Sequence, residues 1–265
     1  MTRLSDEHID IINQRLPRLA EHYLSITGRS LLEAAHYASG TPYLPLEVRK
    51  KLSVAVVPIT SGEGIITDFS ETVALVLREF ADVETFVTDT TDVAGFNESI
   101  VRCADMVFMA DDDVCLCRNL KTGATSDNGF ATGRGFAAHM YLSAHERVDK
   151  EVLILGAGKV GSSAYHFLKA RGVPLKWYDL KESTPFDMDP ALLERAWEQK
   201  AWNYIIDATT CPAFIDADQI SPGATISAPG IPFGVTEAGL QKAGLVIRDE
   251  LETGIMVMFC EGTRQ

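Results

Sequence analysis

The spacing of apolar residues changes along the first half of the chain. Up to residue 36 it follows helical periods, as in Ile9, Ile12 and Leu16, with Ser5 placed to cap the first helix. From residue 53, unbroken apolar runs predict strands covered on both faces, alternating with helical segments. The predicted strands are 54–59, 83–87 and 106–110, and the helices between them are 70–80 and 98–104. Strand and helix in alternation predict right-handed crossovers and an open α/β sheet.

A second strand–helix pattern begins near residue 150, after a predicted connecting helix at 129–147. Strands are predicted at 152–155, 175–178, 204–208 and 224–227, and a helix at 162–171. We therefore expect an α/β protein of two domains. Residues 1–148 would form an N-terminal helical segment with a small parallel α/β domain, and residues 149–265 a Rossmann dinucleotide-binding domain.

The carboxyl ends of the predicted strands mark the edge where open α/β sheets bind ligands. In the first domain these ends carry Thr60-Ser61-Gly62 and Asp111-Asp112-Asp113. By themselves the three aspartates fit a solvated turn or a helix cap better than a binding site. The pattern therefore marks this edge without assigning it a ligand.

The second domain carries a more specific signal. The segment Gly156-Ala157-Gly158-Lys159-Val160-Gly161 directly follows a predicted strand and precedes a helix, as a dinucleotide-binding G-x-G-x-x-G does. Gly156 allows the tight turn, Gly158 lets a pyrophosphate approach the backbone, and Gly161 lets the helix pack closely. The N-terminus of the helix that follows favours phosphate, and Lys159 and Val160, within the motif, are expected to contact the cofactor as well.

Residues after three later strands complete the predicted cofactor site. Asp179 follows the glycines by about 20 residues, where an acidic side chain accepts ribose hydroxyls and repels a 2′-phosphate. The expected cofactor is therefore NAD, although Lys181 lies close enough to meet a 2′-phosphate. Thr209, Cys211 and Pro229 follow the strands where the nicotinamide and its ribose usually bind. Cys211 is interpreted as a packing thiol beside the cofactor.

Composition and charge exclude several classes of partner. The 265 residues include 37 acidic and 24 basic side chains, a net charge of −13. Without a basic cluster, this charge argues against nucleic acid and against an anionic membrane. Five cysteines without a C-x-x-C pair predict neither a metal site nor a disulfide framework. The absence of a signal pattern or a membrane-spanning run predicts a cytoplasmic protein.

Taken together, the motifs resemble the pyrrolysine synthase family (PylD). The discriminating segments are Pro58-Ile59-Thr60-Ser61-Gly62 and Met109-Ala110-Asp111-Asp112. Further matching segments are Phe86-Val87-Thr88-Asp89, Asp92-Val93-Ala94-Gly95, Asn119-Leu120, the glycine motif from 156 to 161, Ala208-Thr209-Thr210-Cys211-Pro212 and Pro229-Gly230-Ile231-Pro232. The acidic segment Glu250-Leu251-Glu252-Thr253-Gly254 departs from the family pattern.

The resemblance implies an NAD-dependent oxidation of an amine. The substrate would be L-lysine-Nε-3-methyl-D-ornithine, whose terminal amine becomes a semialdehyde with loss of ammonia. Cyclisation then closes the pyrroline ring of pyrrolysine. It further implies that Asp111 is the catalytic carboxylate that holds an ammonium group, and that Ser61 and Asn128, the latter in the loop before the connecting helix, bind polar groups of the substrate. Leu4 would close over the pocket.

Two alternatives stay open. One is another dehydrogenase of the same architecture, of the methylenetetrahydrofolate or shikimate type, which would need a catalytic lysine. The other is a non-catalytic NAD sensor, which would bind the cofactor without reducing it in response to a substrate. Analogy with two-domain dehydrogenases suggests a homodimer, an analogy of fold alone.

Overall fold

The computed structural model of the protein describes residues 6–264. The helices are α1 (Asp6–Thr27), α2 (Leu31–Ser39), α3 (Leu46–Arg49), α4 (Phe69–Ala81), α5 (Asp92–Val101), α6 (Asn128–Ser143), α7 (Lys159–Lys169), α8 (Glu237–Lys242) and α9 (Glu252–Gly262). The strands are β1 (Ser53–Val57), β2 (Glu84–Val87), β3 (Met106–Ala110), β4 (Cys115–Asn119), β5 (Thr125–Asp127), β6 (Val152–Leu155), β7 (Leu175–Tyr178), β8 (Trp202–Asp207), β9 (Ile220–Ser227) and β10 (Ala243–Ile247). Within residues 6–264, no helix is long and apolar enough to cross a membrane.

The chain folds into two compact units. Unit 1 holds the described residues up to 25, residues 29–131 and those from 250 onward, whereas unit 2 holds 26–28 and 132–249. The division therefore differs from the single boundary expected between residues 148 and 149. Most of the connecting helix α6 belongs to unit 2, and the C-terminal helix α9 belongs to unit 1.

Helix α9 joins unit 1 because it is covered on every side. All of its residues are buried, including Ile255, Met258 and Phe259. It packs against α2, α4, β4 and β5. A helix that is buried on all faces requires packing partners on all sides, and unit 1 supplies them.

The sheet of unit 1 has the order β2-β1-β3-β4-β5. Strands β1, β2 and β3 are parallel, as expected, whereas β4 and β5 add an antiparallel extension that the pattern did not predict. In β4 the alternation of a strand buries both Cys115 and Cys117, which accounts for their spacing. Because β1 has β2 on one side and β3 on the other, the order of strands reverses between β1 and β3. Such a switch point opens a crevice at the carboxyl edge.

Helix α5 begins at Asp92 rather than near the predicted residue 98. In the acidic segment 88–95, only the residues before Asp92 lie outside this helix. The Glu98 side chain accepts hydrogen bonds from the backbone N–H groups of Asp89 and Thr90 at 3.1 Å. The turn is therefore tied to the helix that follows it.

Unit 2 contains a five-stranded parallel sheet with the order β10-β9-β8-β6-β7. Its switch point lies between β6 and β8. Helix α6 crosses close to α7 because Gly133 has no side chain, and a Cβ there would lie within 3.0 Å of the Val160 backbone. This Rossmann-type arrangement places the 156–161 motif at the carboxyl edge of the sheet.

Candidate active site

Asp111 follows β3 at the switch point of unit 1 and closes the hairpin to β4. Its Oδ1 accepts hydrogen bonds from the backbone N–H groups of Asp113 at 2.9 Å and Val114 at 2.7 Å. Its other oxygen, Oδ2, makes no hydrogen bond or ion pair to any residue that the structure describes. Asp111 is therefore a turn residue, as its pattern first suggested, and it is half-buried, with Oδ2 outside the hydrogen bonds of the turn.

Ser61 lies on the other side of the same switch point, in an exposed bend after β1. Two aspartates hold this loop, Asp92 at the start of α5 and Asp112 in the turn after β3. Asp92 accepts hydrogen bonds from the backbone N–H of Thr60 at 2.8 Å and from its hydroxyl at 2.7 Å. These bonds lower the pKa of Asp92. Asp112 accepts the backbone N–H of Glu63 at 2.6 Å, so Ser61 is fixed from both sides.

Asn128 is the first residue of α6, and this corrects the expectation that it lies in a loop. Asp127 caps the helix, because its Oδ1 accepts the backbone N–H of Gly129 at 2.9 Å. Strand β5 runs in the same direction as β3, so Asn128 and Asp111 share one edge of the sheet. Burial, followed by the charges of Asp127 and Asp111, raises the pKa of Cys115 to about 12.

Ser61, Asp111 and Asn128 thus lie along one carboxyl edge of unit 1. Leu4, expected to close over the substrate, and Ser5, expected to cap α1, fall outside the described residues. The three substrate-contacting roles remain predictions, but the topology does bring their residues to a common edge.

The lysines of unit 1 lie at the opposite edge. Lys121 follows β4 and pairs with Asp105, which directly precedes β3. The hydrogen bond from Lys121 to Asp105 raises the pKa of the lysine. Lys50 and Lys51 precede β1. The sequence of unit 1 contains no other lysine.

In unit 2 the glycine motif has the geometry that its spacing predicts. Gly156 has φ +89°, a conformation that favours glycine. A Cβ at Gly161 would lie within 3.0 Å of the Gly156 carbonyl group, so this glycine allows α7 to start against the turn. Around Gly158, in contrast, no atom lies within 4 Å of an added Cβ. Gly158 therefore leaves open space in front of the helix N-terminus, where no side chain caps the backbone.

Asp179 follows β7 and faces this turn. Its Oδ2 accepts the backbone N–H of Ala157 at 2.8 Å, and its Oδ1 accepts that of Lys181 at 2.9 Å. The carboxylate is thus fixed beside the glycine turn. Open space at Gly158, an uncapped helix N-terminus and a fixed carboxylate together fit the phosphates and ribose of a nicotinamide dinucleotide.

The strand ends after β8 and β9 carry the remaining predicted cofactor residues. Thr209 is half-buried, Cys211 is exposed, and Pro229 is half-buried after β9. Since Cys211 is exposed, the protein itself does not pack over its thiol. Sequence analysis missed Asp207, the last residue of β8, which is fully buried and bonds to Thr209. A carboxylate ending an apolar strand was the signal that could have found it.

A Rossmann unit with a dinucleotide motif, preceded by an α/β unit with its own switch point, is the architecture of two-domain nicotinamide-dependent dehydrogenases. Solved structures agree with this fold class. Shikimate 5-dehydrogenase from Thermus thermophilus, crystallised with NADP(H) and shikimate, is similar with a TM-score of 0.50 at 15% identity, over 80% of this chain and 90% of that one. The bifunctional 5,10-methylenetetrahydrofolate dehydrogenase/cyclohydrolase from Thermoplasma acidophilum also has a TM-score of 0.50 at 12% identity, over 90% of this chain and 94% of that one.

Sequence comparisons are more specific. Residues 8–126 match the family described as pyrrolysine biosynthesis protein PylD, N-terminal domain. Pyrrolysine synthase from Methanosarcina acetivorans is 31% identical over 97% of this chain and 98% of the relative. Pyrrolysine synthase from Methanosarcina barkeri is 31% identical over 89% of this chain and 88% of the relative. The chain therefore belongs to the pyrrolysine synthase (PylD) family, which confirms the resemblance drawn from its motifs.

Proposed function

We propose that the protein oxidises the terminal amine of L-lysine-Nε-3-methyl-D-ornithine, with NAD as the oxidant. The amine carbon loses a hydride and the nitrogen a proton, which gives an imine. Water converts the imine to a semialdehyde and releases ammonia. The internal amine then condenses with the aldehyde and loses water, which closes the pyrroline ring of pyrrolysine. Membership of the PylD family supports this pathway role.

The observation that carries the proposal is the carboxylate of Asp111 at the switch point of unit 1. The ornithine part of the substrate carries two ammonium groups, and it needs negatively charged acceptors because a desolvated ammonium without one is costly. Oδ1 of Asp111 is engaged by the hairpin, so Oδ2 is the oxygen that would receive an ammonium N–H. Ser61 and Asn128, on the same edge, would orient the remaining polar groups.

The proposed reaction requires few further catalytic side chains. A bound nicotinamide dinucleotide supplies the hydride acceptor. Hydride loss requires a neutral amine, so Asp111 would hold the ammonium group and take its proton, directly or through water. Ring closure joins two groups of one molecule, and such reactions have a high effective molarity. A pocket that holds and shields the substrate therefore suffices without a catalytic triad.

The choice of NAD over NADP rests on Asp179. Its carboxylate is fixed by Ala157 and Lys181 backbone N–H groups beside the glycine turn. A fixed negative charge there favours the two hydroxyls of an unmodified ribose and repels a 2′-phosphate. Titrating the purified protein with NAD and with NADP tests this directly, and we expect the tighter binding for NAD.

The reaction is tested by following NAD reduction with the lysyl-methylornithine amide in Asp111→Asn. Asparagine keeps an oxygen for the Asp113 and Val114 N–H groups, so the hairpin survives while the charge is lost. We expect kcat/KM to fall about a hundredfold, which is ~2.7 kcal/mol, because the ammonium group of the substrate would be desolvated without its charged partner. Asp113→Asn, an exposed neighbour in the same turn, is the matched control and should retain activity. Full activity in Asp111→Asn would refute the assignment.

The placement of the lysines favours this reaction over the shikimate or methylenetetrahydrofolate type. Dehydrogenases of those types need a lysine at the site, and Lys50, Lys51 and Lys121 lie at the far edge of the sheet. Substrate-dependent NAD reduction with hydroxy acids or folates, but not with the amide, would favour that alternative. NAD binding without reduction by any of these substrates would favour a sensor.

A further inference from the structure

The segment Asp207-Ala208-Thr209 lies beside the switch point of unit 2, between the glycine motif and the loop after β9. Glycines from both loops touch it. A Cβ on Gly156 would lie 2.6 Å from the Ala208 carbonyl oxygen. A Cβ on Gly230 would clash with the carbonyl oxygen of Thr209. A Cβ on Gly234 would clash with Oδ2 of Asp207. The segment 207–209, at the end of β8, is therefore the surface against which both loops pack.

Asp207 makes specific contacts within this surface. Its Oδ1 accepts the backbone N–H of Thr209 at 3.1 Å and the Thr209 hydroxyl at 2.8 Å. Its backbone carbonyl accepts the N–H of Gly230 at 3.0 Å. Oδ2 is fully buried and makes no hydrogen bond of ordinary geometry to any described residue, although the Gly234 backbone lies against it. The side chain is therefore aimed at protein, not at solvent.

Burial raises the pKa of Asp207, and the two bonds from Thr209 oppose that shift most strongly. Arg248, whose guanidinium lies 4.6 Å from the centre of the Phe233 ring, adds a weaker opposing charge. A buried carboxylate held in this way is costly for the fold. Such a cost is more common at functional sites than in a plain core.

The bonds of Asp207 determine what Thr209 can offer a ligand. A hydroxyl has one proton and two lone pairs, and Thr209 gives its proton to Asp207. One lone pair receives the backbone N–H of Cys211 at 3.3 Å. The other lone pair is left for a hydrogen-bond donor. The primary amide of nicotinamide is a donor of that kind, and the strand ends on the β8–β9 side are where the nicotinamide half of a dinucleotide binds.

We propose that Asp207 is a positioning residue of the nicotinamide half of the cofactor site. It takes the hydroxyl proton of Thr209, so that Thr209 Oγ1 acts only as an acceptor towards the nicotinamide amide. The inference rests on the proposed dinucleotide function and adds a residue that determines how the nicotinamide end is held. The adenosine end, at Gly158 and Asp179, does not depend on Asp207.

The test compares binding of NAD with that of ADP-ribose, which lacks the nicotinamide, by titration calorimetry on the full chain. The variants are Asp207→Ala, which removes the acceptor of the Thr209 hydroxyl proton, Thr209→Val and Thr209→Ser. Asp216→Ala is the matched control, because Asp216 also accepts a backbone N–H and a threonine hydroxyl, at 2.8 and 2.7 Å, but is exposed. We expect NAD to bind about tenfold more weakly to Asp207→Ala and Thr209→Val, which is ~1.4 kcal/mol, while ADP-ribose binds as to the native protein. Thr209→Ser should recover native NAD binding.

Each other outcome counts against the proposal. An equal loss for NAD and ADP-ribose would reduce Asp207 to a structural role, and unchanged NAD binding would overturn the inference alone. If Asp207→Ala does not fold, the comparison of Thr209→Val with Thr209→Ser decides, because only the serine keeps a hydroxyl that can donate to Asp207. A native protein that binds neither NAD, NADP nor ADP-ribose would instead refute the dinucleotide function, and this inference with it.

Discussion

Gly158 and Gly161 belong to one motif, yet the structure predicts opposite effects for replacing each with alanine. Gly158 has φ −77°, which any residue adopts, and an added Cβ meets no atom within 4 Å. Gly158→Ala should therefore fold normally. Its free energy of unfolding without ligand should stay the same or rise by ~0.4–1 kcal/mol, because alanine restricts the unfolded chain.

Cofactor binding should respond in the opposite direction. The space that a methyl group at Gly158 would fill is the space through which a pyrophosphate reaches the N-terminus of α7. Losing one hydrogen bond to a charged phosphate costs ~1.5–3 kcal/mol, which is a tenfold to hundredfold weaker NAD affinity. Urea unfolding measures the free energy of unfolding of Gly158→Ala, and calorimetric titration of the same preparation measures its NAD affinity.

Gly161→Ala is the contrasting variant. An added Cβ there would meet the carbonyl oxygen and carbon of Gly156, both backbone atoms closer than 3.0 Å. Backbone cannot move aside as a flexible side chain can, so we expect a loss of stability of ~1–3 kcal/mol even without ligand. Native NAD affinity in a folded Gly158→Ala would refute the reasoning, because it would place the phosphates elsewhere.

Two further predictions concern unit 1. Glu252 is fully buried, and Arg15 donates three hydrogen bonds of 2.8–3.1 Å to it. Arg15→Met should therefore lower the free energy of unfolding in urea by ~3–5 kcal/mol. The double variant Arg15→Met with Glu252→Met should recover much of that loss. A loss under ~1 kcal/mol in the single variant would show that the pair behaves as a surface ion pair. Burial, followed by the charge of Arg49, lowers the pKa of His36 from 6.5 to about 4. As the pH falls, the imidazole of the unfolded chain is therefore protonated before that of the folded protein. The free energy of unfolding should fall as the pH drops from about 6.5 to about 4. His36→Asn should flatten unfolding free energy over that range, and an unchanged slope would contradict the assignment.

Local pattern was enough to predict the elements that lie next to the candidate sites. Strand β3 spans the predicted 106–110, and β6 and β7 also match their predicted bounds. Strands β3 and β6 are apolar runs, whereas β7 alternates buried and half-buried residues, and both signals depend only on neighbouring residues. The glycine motif was also predictable from local sequence, since the tight turn, the open space at Gly158 and the start of the helix all lie within six residues.

Other features depended on contacts that sequence spacing does not record. Strands β4 and β5 are short and partly polar, and they form because β3 offers them an edge. Asn128 became a helical residue because Asp127 caps α6, although the pattern placed the helix start only one residue later.

The sequence by itself therefore determined the class of protein: two α/β units, a dinucleotide motif, and Ser61 and Asp111 after strands that share an edge. Only the tertiary structure decided that α9 returns to unit 1, that Asp111 keeps one carboxylate oxygen free of the hairpin, and that Asp207 lies under Thr209 and Gly234. The physical reason is the range of the interactions. Periodicity and turn chemistry act between near neighbours, whereas a buried carboxylate or a fully buried helix is stabilised by residues far along the chain.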